Sequence, residues 1–468
     1  MSVMAGSTAN PASGAEAEAY HAALAVLQAR GRFGIRLGLG RTRALLAALG
    51  DPHRALPGVL IGGTNGKGSI QAMVAAVLRA AGVRVGQTPK PHLVSYRERI
   101  VVDGSPIAPR DFTALLEDVL QAASGVPGRL GAPTEFELLT AAAFHHFAQS
   151  GVRVGVIEVG LGGRLDATNA WDGGVAAITS VGLDHTEFLG TTLDAIGREK
   201  AAIIKRGDLA VSGVTGEGAL PIRRRARRLD VPLVEVGPLG LEDMDRGGIT
   251  VRHPSHGLLH VALLGRHQAM NAAVAVAILE ALDRRGLARL EPAALRAGLA
   301  AVRWPGRLEL LTIGPEAIDV LLDGAHNVDG ARALAGALAD LRPLLSVGRP
   351  TLLMGTLRDK DASGMIEALA TREALGGARV LTTTVPEAPR SLSATELAAM
   401  WREQSPAGSS IEAIDDPSEA LDHALSAARA EGGPLICCGS LYLVGAVRGR
   451  LVDEPELRDP PLPGRDGR

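Results

Sequence analysis

The chain has 468 residues, with 49 Lys and Arg against 51 Asp and Glu and a formal net charge of −2. This length predicts two or three domains with buried apolar cores. The balanced charge argues against a nucleic-acid-binding surface, and no run reaches the ~20 apolar residues that span a bilayer. We therefore expect neither nucleic acid nor a membrane as a partner.

Both ends of the chain are predicted to be disordered. Residues 1–18 are small and polar and lack the basic start and apolar centre of a signal peptide. Residues 453–468 are rich in proline and charge. The folded part is therefore expected to run from residue 19 to residue 452.

The first strong pattern is an apolar strand, Val59–Ile61, that runs into a glycine-rich loop and then an amphipathic helix, Ile70–Ala81. Glycines let backbone N–H groups face phosphates, and the helix start adds the positive end of its dipole. The spacing differs from the common Walker form, because Ile61 stands where the first glycine of that form would be. A plain turn is the alternative, but strand, helix and a Lys-x-Ser pair together predict ATP or GTP binding.

The residues of this loop are the candidates for holding the nucleotide. Lys67 would supply a point charge, and Ser69 a hydroxyl for a magnesium ion that bridges phosphates. The candidate residues are Gly63, Thr64, Asn65, Gly66, Lys67, Gly68 and Ser69.

Strand patterns alternate with helical patterns through the first part of the chain, which predicts an α/β fold with a parallel sheet. The predicted strands are Val59–Ile61, Val152–Glu158, Val175–Ser180, Leu209–Val214 and Pro232–Val236. We expect an antiparallel hairpin over residues 247–264 at the edge of this sheet, followed by a helix over residues 268–282.

A second α/β series follows. Its predicted strands are Ala317–Leu322, Thr351–Met354, Val380–Thr384 and Leu435–Cys438. The segment 303–307 contains Pro305 and Gly306, which stop helix and strand alike and indicate a linker. We therefore place an ATP-binding domain at residues 19–302 and a smaller C-terminal α/β domain at residues 303–452.

The chain has only two cysteines, Cys437 and Cys438, next to each other in the last predicted strand. Neighbours in a strand point to opposite faces, which disfavours a disulfide or a metal site there. Because disulfides belong to oxidising compartments, this pattern predicts a cytoplasmic protein.

Carboxylate and imidazole side chains follow two strands of the first series. Glu158 ends one strand, and Asp184 and His185 come just after the next. Ligands bind beyond the carboxyl ends of parallel strands, so these groups would lie beside the phosphate loop. A carboxylate suits magnesium, whereas imidazole is a less usual ligand and a lone histidine is more often structural. Nearness to the phosphate loop favours a functional role.

Two lysines, Lys200 and Lys205, lie five residues apart and so on different faces of a helix. A surface charge is the default interpretation of both. In the second series, Asp323, His326 and Asn327 follow one strand, and residues 355–361 follow another. Two polar faces joined by a linker predict a cleft that can close over substrates.

These residues resemble the Mur ligase superfamily and, within it, the folylpolyglutamate synthase and dihydrofolate synthase family. The resemblance runs from about Ala22 to Arg450 and rests on motifs in the same order. They are the phosphate loop 63–69 and residues 97–100, 158–169, 182–185, 265–272, 305–307, 323–327 and 439–445. The string 158–169, Glu-Val-Gly-Leu-Gly-Gly-Arg-Leu-Asp-Ala-Thr-Asn, is the most specific of them.

The resemblance implies a Mur ligase-like fold and an ATP-dependent carboxylate–amine ligase. Such an enzyme adds L-glutamate to a folate, to dihydropteroate, or to both. The γ-phosphoryl group of ATP would pass to the substrate carboxylate, and the glutamate amine would then displace phosphate. The implied cofactors are ATP, Mg²⁺ at two sites and a carbamylated lysine. We expect the protein to be a monomer.

The resemblance also implies a role for individual residues. Ser69 and Glu158 would bind the first magnesium, and His185 and a carbamate on Lys200 the second. Asp323 and His326 would act from the second domain on ATP and on glutamate. The implied catalytic residues are Lys67, His185, Lys200, Asp323 and His326. The implied nucleotide contacts beyond the phosphate loop are Gln268, Asn271, Arg307 and Asp323.

One position departs from the family pattern. Where the family has a Ser-Pro-His run whose serine binds the first magnesium, this chain has Lys90 followed by Pro91 and His92. A protonated lysine has no lone pair for a cation. Either a water takes the place of the serine, with the ammonium contacting a phosphate or carboxylate, or the lysine points to solvent.

Two other functions compete with a folate ligase. One is a different Mur-type amino-acid ligase that acts on a cell-wall or polyamide substrate. The other is a nucleotide-binding module without catalysis, in which Lys90 marks lost activity. The first is disfavoured by residues 91–93 and 439–445. The second is disfavoured by the retained Glu158, His185, Lys200 and Asp323.

Overall fold

The computed structural model describes residues 14–31, 36–405 and 410–461. Two α/β bodies, each built on its own sheet, follow one another along the chain. The elements before the linker are α1 (Gly14–Gly31), α2 (Gly40–Ala48), β1 (Gly58–Gly62), α3 (Lys67–Ala80), β2 (Val85–Thr88), β3 (Val101–Val102), β4 (Ser105–Pro106), α4 (Pro109–Ser124), α5 (Glu135–Gln149), β5 (Val154–Glu158), β6 (Gly174–Ile178), α6 (Thr186–Leu189), α7 (Leu193–Ala201), β7 (Leu209–Ser212), α8 (Ala219–Leu229), β8 (Leu233–Glu235), β9 (Gly240–Asp245), β10 (Gly248–His253), β11 (Gly257–Val261), α9 (Gln268–Arg284) and α10 (Pro292–Ala300).

The elements after the linker form the second body. They are β12 (Glu309–Ile313), β13 (Ile318–Leu322), α11 (Val328–Leu341), β14 (Thr351–Met354), α12 (Ala362–Leu369), α13 (Arg372–Leu375), β15 (Arg379–Thr382), α14 (Ala394–Gln404), β16 (Ser410–Ala413), α15 (Pro417–Glu431), β17 (Leu435–Cys438) and α16 (Leu441–Leu451).

The first sheet has eight strands in the order β4-β3-β2-β5-β1-β6-β7-β8. Six of them run parallel, as predicted, and the short β3 and β4 add an antiparallel edge. Helices cover both faces: Val59 and Ile61 of β1 pack into one apolar cluster and Leu60 into the other. The β1 strand is therefore buried on both sides, and its carboxyl end lies at the middle of the sheet, where α/β sheets bind ligands.

The predicted hairpin is antiparallel, since β10 pairs with β11. Its expected place at the edge of the first sheet is wrong. A third strand, β9, pairs with β10, and the three strands form a sheet of their own. The apolar side chains Ile249, Val251 and Leu259 of this small sheet belong to the same buried cluster as β1, so it packs over a face of the first body.

The second sheet has the order β12-β13-β17-β14-β15-β16, with only β12 antiparallel. Its centre is β17, the strand with both cysteines. Cys437 packs into one apolar cluster and Cys438 into the other, and both are buried free thiols. The prediction that they point to opposite faces is confirmed.

The segment predicted as a linker connects the two bodies. It follows α10 and leads into β12, so the second sheet begins at Glu309. The bodies are also joined by ion pairs, among them Arg246 with Asp319 at 2.5 Å and Arg266 with Asp340. The two sheets therefore present their polar strand ends to a shared cleft.

The prediction of a disordered C-terminal tail is wrong for residues 453–461, which we call the C-terminal strap. Asp459 accepts hydrogen bonds from Tyr20 Oη at 2.7 Å and Ser95 Oγ at 2.6 Å, and its carboxylate lies 3.3 Å from Arg97 Nε. Arg97, 2% exposed, also donates to the carbonyl oxygens of residues 456 and 458. The strap thus supplies acceptors to a guanidinium buried in the first body. Residues 462–468 lie outside the described part.

The N-terminal boundary is corrected in the same way. Helix α1 begins at Gly14, so residues 14–18 are helical and not disordered, while residues 1–13 lie outside the described part. The structure thus extends the first body to before residue 19. Among the described helices, none combines the length and the apolar character needed to cross a bilayer.

Candidate active site

A cavity of about 850 Å³ lies between the two bodies and collects most of the predicted site residues. The predicted residues that line it are Gly63, Thr64, Asn65, Gly66, Lys67, Gly68, Ser69, Glu158, His185, Lys200, Asn271, Arg307, Asp323 and His326. Gln268 is absent from this lining. It lies behind Asn271 and accepts a hydrogen bond from its Nδ2 at 2.8 Å.

The phosphate loop is held by the two residues that follow β6, Thr179 and Ser180. Asn65 N donates to Ser180 Oγ at 2.9 Å, and Thr179 Oγ1 donates to Asn65 O at 2.5 Å. Gly66 has a φ of +85° and caps α3, and a Cβ there would lie 2.5 Å from Asn271 Oδ1. Only glycine fits this position, because backbone conformation and space both exclude a side chain.

Lys67 begins α3 and folds back over the loop. Its ammonium donates to Gly63 O and Thr64 O, each at 2.9 Å, and lies 4.0 Å from Glu158 Oε1. Burial lowers the pKa of Lys67, and the Glu158 carboxylate opposes that shift. The loop, the helix start and this charge form the expected anion cradle.

Glu158 ends β5 and is 4% exposed. Its Oε2 has no hydrogen-bond partner among the described residues. Burial raises the pKa of its carboxyl, and the nearby cations act against that shift. A buried carboxylate oxygen without a donor, beside the Ser69 hydroxyl in the same cavity, fits a magnesium ion, which prefers oxygen ligands.

Lys200 lies on α7 and is 3% exposed, so the interpretation of Lys200 as a surface charge is wrong. Within the described ranges its amine has no hydrogen bond or ion pair. Burial, helped by the charge of Lys67, lowers its pKa to about 7. An amine with this pKa is largely neutral at slightly alkaline pH, and the neutral form is the nucleophile.

His185, next to the same cavity, has a left-handed backbone with φ +50° at the start of α6.

Arg307 and Asp323 come from the linker and from the end of β13. Both oxygens of Asp323 accept backbone N–H groups, from Leu308 and Ala325, each at 2.9 Å. The Arg307 guanidinium makes no hydrogen bond to any described residue, although it lines the cavity. A half-buried guanidinium with free donors at the wall of the cavity suits an anion such as a phosphate.

His326 follows Asp323 on the second body. Its Nδ1 lies 2.8 Å from Gly324 O. Because a carbonyl oxygen only accepts, Nδ1 carries the proton and Nε2 keeps a lone pair. Burial lowers the pKa of His326 to about 4, so the ring is neutral at physiological pH. This side chain can accept a proton from a bound amine.

Two residues that sequence reasoning left without a role join the bodies at this cavity. Lys360, after β14, pairs with Asp184, after β6, at 3.3 Å. Asn327 Nδ2 donates to Asp184 Oδ2 at 3.0 Å. Each of these residues follows a strand, so its place at the edge of a sheet could have been predicted from the sequence. Their pairing could not, because it joins residues of two different sheets.

A second wall of the cavity was also missed. Arg99, Glu135, Phe136 and Asp166 line it next to Lys90. The sequence did contain a pattern that places Glu135 and Phe136. Thr134 and Glu137 form a capping box, which starts α5 and fixes the two residues between them. An aromatic ring beside a guanidinium and carboxylates suits a flat, polar organic substrate.

Two family models match the chain. Residues 112–279 match the Mur ligase middle domain, and residues 306–441 match the Mur ligase glutamate ligase domain. The two matches fall on either side of the linker. Cavity residues 134–271 fall in the first match and 307–441 in the second, whereas the phosphate loop 63–69, Lys90 and Arg99 precede both.

Known proteins resemble the chain over most of its length. The dihydrofolate synthase/folylpolyglutamate synthase of Bacillus subtilis is 36% identical over 363 residues, 75% of this chain and 83% of the relative. A folylpolyglutamate synthase of Mycobacterium tuberculosis, solved with ADP and AMPPCP, has a TM-score of 0.84 at 33% identity, covering 94% of this chain and 99% of its own. Escherichia coli FolC with DHPP and ADP has a TM-score of 0.76 at 31% identity, covering 92% of this chain and 97% of its own.

Proposed function

Because the chain belongs to the dihydrofolate synthase/folylpolyglutamate synthase family of Mur ligases, we propose that it joins L-glutamate to a folate or to dihydropteroate with ATP. The observation that carries this proposal is the two-sided cavity. One wall holds a phosphate loop with Lys67, and the facing wall holds a neutral His326. An amide ligase needs both, an anion cradle for the activating phosphate and an acceptor for the proton of the amine.

The first half of the reaction transfers the γ-phosphoryl group of ATP to the substrate carboxylate, which forms an acyl phosphate and ADP. Backbone N–H groups of the phosphate loop and the Lys67 ammonium would hold the phosphates. Arg307, whose donors have no partner among the described residues, would bind the transferred group from the other side. Phosphoryl transfer depends on such positioned charge more than on covalent help from the protein.

The second half joins glutamate and releases phosphate. The neutral glutamate amine attacks the acyl carbon, its nitrogen loses a proton as the C–N bond forms, and the C–O bond to phosphate breaks so that phosphate leaves. His326 Nε2 would accept that proton, because Nδ1 already donates to Gly324 O. Asp323, with both oxygens on backbone N–H groups, would hold the segment that carries Arg307 and His326.

Magnesium would be held at two places. Ser69 and Glu158 fit one ion, and His185 and an oxygen of a Lys200 carbamate the other. When bound, the ions neutralise charge on the phosphates. The neutral amine of Lys200 supports carbamylation, since the ammonium form cannot attack carbon dioxide.

The wall of Arg99, Glu135, Phe136 and Asp166 is the proposed place for the ring system of the substrate. Phe136 offers an aromatic face, and Arg99 a charge for a carboxylate. The solved relative with DHPP and ADP supports a pteridine-containing substrate and a nucleotide in the same molecule. We further propose that the protein works as a monomer.

The test is an activity assay with two acceptors. Purified protein is given ATP, Mg²⁺ and L-glutamate with either dihydropteroate or tetrahydrofolate, and phosphate release and product mass are measured. We expect glutamate-dependent phosphate release with at least one acceptor. Release with a cell-wall precursor but with neither pteridine would contradict the proposal. Light scattering of the same sample tests the monomer.

A further inference from the structure

Lys90 lies in the active-site cavity and not in solvent. Its ammonium donates to the backbone oxygen of Glu158 at 2.5 Å and lies 4.6 Å from the centre of the Phe136 ring. Within the described ranges it makes no other hydrogen bond and no ion pair. An ammonium has three N–H donors, so two remain for a ligand.

The chain uses lysine sparingly, which argues against a chance placement. Lysine occurs at five positions among 49 basic residues, and the other basic residues are arginine. Four of the five, Lys67, Lys90, Lys200 and Lys360, line this one cavity. Only Lys205 lies elsewhere, with its ammonium on Trp171 O at 2.7 Å. A compact point charge or a reactive amine is what lysine offers and arginine does not.

Lys90 adds positive charge to the pair that fits the first magnesium ion. The Glu158 carboxylate already has Lys67 at 4.0 Å, and Lys90 and Arg307 also act on it electrostatically. A divalent cation at Ser69 and Glu158 would therefore share one carboxylate with several monovalent cations. Like charges at such short range in a cavity of low dielectric weaken its binding.

We propose that the ammonium of Lys90 takes over part of the role of the magnesium ion at Ser69 and Glu158, which this chain therefore binds only weakly. Its charge weakens the binding of a divalent ion at Ser69 and Glu158, and its two free N–H groups bind the phosphoryl oxygens of ATP or the substrate carboxylate directly. The proposal rests on the proposed function, but ion binding and nucleotide binding can be measured without turnover.

The first experiment counts bound ions. Mn²⁺ is titrated into the protein with the non-hydrolysable analogue AMPPCP, and free Mn²⁺ is followed by electron paramagnetic resonance. We expect one tight ion in the wild type and two in Lys90→Ser, whose second ion binds at least ~10-fold tighter because a hydroxyl ligand replaces a charge. Lys90→Met, which removes the charge without adding a ligand, should show a smaller gain.

The second experiment keeps the proposal testable if the serine variant does not fold. The affinity for AMPPCP together with the acceptor substrate is measured by calorimetry in EDTA. Lys90→Met should weaken it at least ~5-fold through the loss of a charge-assisted contact, and the matched control Lys205→Met should leave it within ~2-fold.

Equal Mn²⁺ stoichiometry and affinity in the wild type and Lys90→Ser would overturn the proposal. An unchanged affinity in Lys90→Met would overturn the direct contact. Neither readout depends on glutamate ligation, so failure of the activity assay and failure of this proposal are distinct results. Melting temperatures of all variants show whether each one folds.

Discussion

The ammonium of Lys360 lies 3.3 Å from Oδ1 of Asp184, and this pair joins the second body to the first directly at the active-site cavity. Both side chains are 12% exposed. Burial alone would raise the pKa of Asp184, but Lys360, with His185 and a hydrogen bond from Asn327, lowers it to about 2. The pair therefore remains charged across the physiological pH range and favours the closed arrangement of the two bodies.

Lys360→Met should loosen this closure. We expect the KM for ATP to rise at least ~5-fold while the melting temperature stays near that of the wild type, because a half-buried charge pair at a cleft is lost. The matched control is Arg266→Met, which removes another pair between the bodies, that of the exposed Arg266 with Asp340. Its KM should change less than ~2-fold. If both variants raise the KM for ATP equally, the change comes from a general loosening of the contact between the two bodies, and the prediction for Lys360 is wrong.

Lys67→Ala should leave the fold intact and lower turnover at least ~100-fold, because phosphoryl transfer depends on positioned charge. Lys67 donates only to loop carbonyls, so its loss creates no large cavity. Single-turnover phosphate release, with circular dichroism as the folding check, measures the effect. Near-normal release would remove the loop lysine from the mechanism.

Lys200 should carry a carbamate. Its pKa of about 7 means that the neutral, reactive amine predominates above pH 7, so carbamylation should increase as the pH rises from 6 to 8. Carbon-13 NMR with labelled bicarbonate should give a carbamate signal that Lys200→Ala lacks. A small carboxylate such as acetate should partly restore the activity of Lys200→Ala. A crystal structure in which both magnesium ions are bound and the Lys200 amine is unmodified would contradict this prediction.

His326 should make the stability depend on pH in a defined direction. Its folded pKa, about 4, lies below the ordinary value of 6.5, so the unfolded chain binds a proton that the folded chain does not. The contribution of His326 to the unfolding free energy is fully present above pH 6.5 and is lost as the pH falls towards 4. Relative to His326→Asn, the wild type should lose about 1.4 kcal/mol of unfolding free energy per pH unit in this window. Urea unfolding at pH 7 and pH 5 tests this, and parallel pH profiles would refute it.

Asp459 should stabilise the first body from the C-terminal strap. Asp459→Ala removes the acceptor of Tyr20 Oη, Ser95 Oγ and Arg97 Nε, so we expect a loss of at least ~2 kcal/mol in unfolding free energy. The control in the same strap is Asp453→Ala, which breaks an exposed pair with Arg458 and should cost less than ~0.5 kcal/mol. Both are measured by urea unfolding.

Local sequence patterns predicted the central strands of both α/β sheets and the edge strand β8, but they missed β2, β3, β4, β12 and β16. Apolar runs such as β1 and β17 are buried on both faces and stand out in the sequence. The edge strands are short or polar: β3 has two residues, and β9 is mostly exposed and acidic. Such segments form strands because a neighbour offers backbone partners, which is a tertiary effect.

The candidate site was predicted where motif and strand end coincide, as at the phosphate loop and Glu158. The local pattern alone indicated a surface charge at Lys200, because nothing in its helix indicates burial, and only the family resemblance predicted a role for it. Asp459 lies in a segment whose composition is typical of disorder. Its order depends on the acceptors that Arg97 requires, some 360 positions earlier in the chain. Long-range pairing of this kind is absent from any local window of sequence.

The placement of the lysines has a practical consequence for chemical labelling. Because four of the five lysines line the active-site cavity, and Lys205 is held by Trp171 O, the outer surface offers arginine in place of amines. Labelling of lysine by amine-reactive dyes and cross-linkers should therefore occur mainly in the cavity, and that labelling should abolish turnover. A bound nucleotide should shield Lys67. The difference in labelling with and without ATP would therefore report whether a nucleotide occupies the cavity.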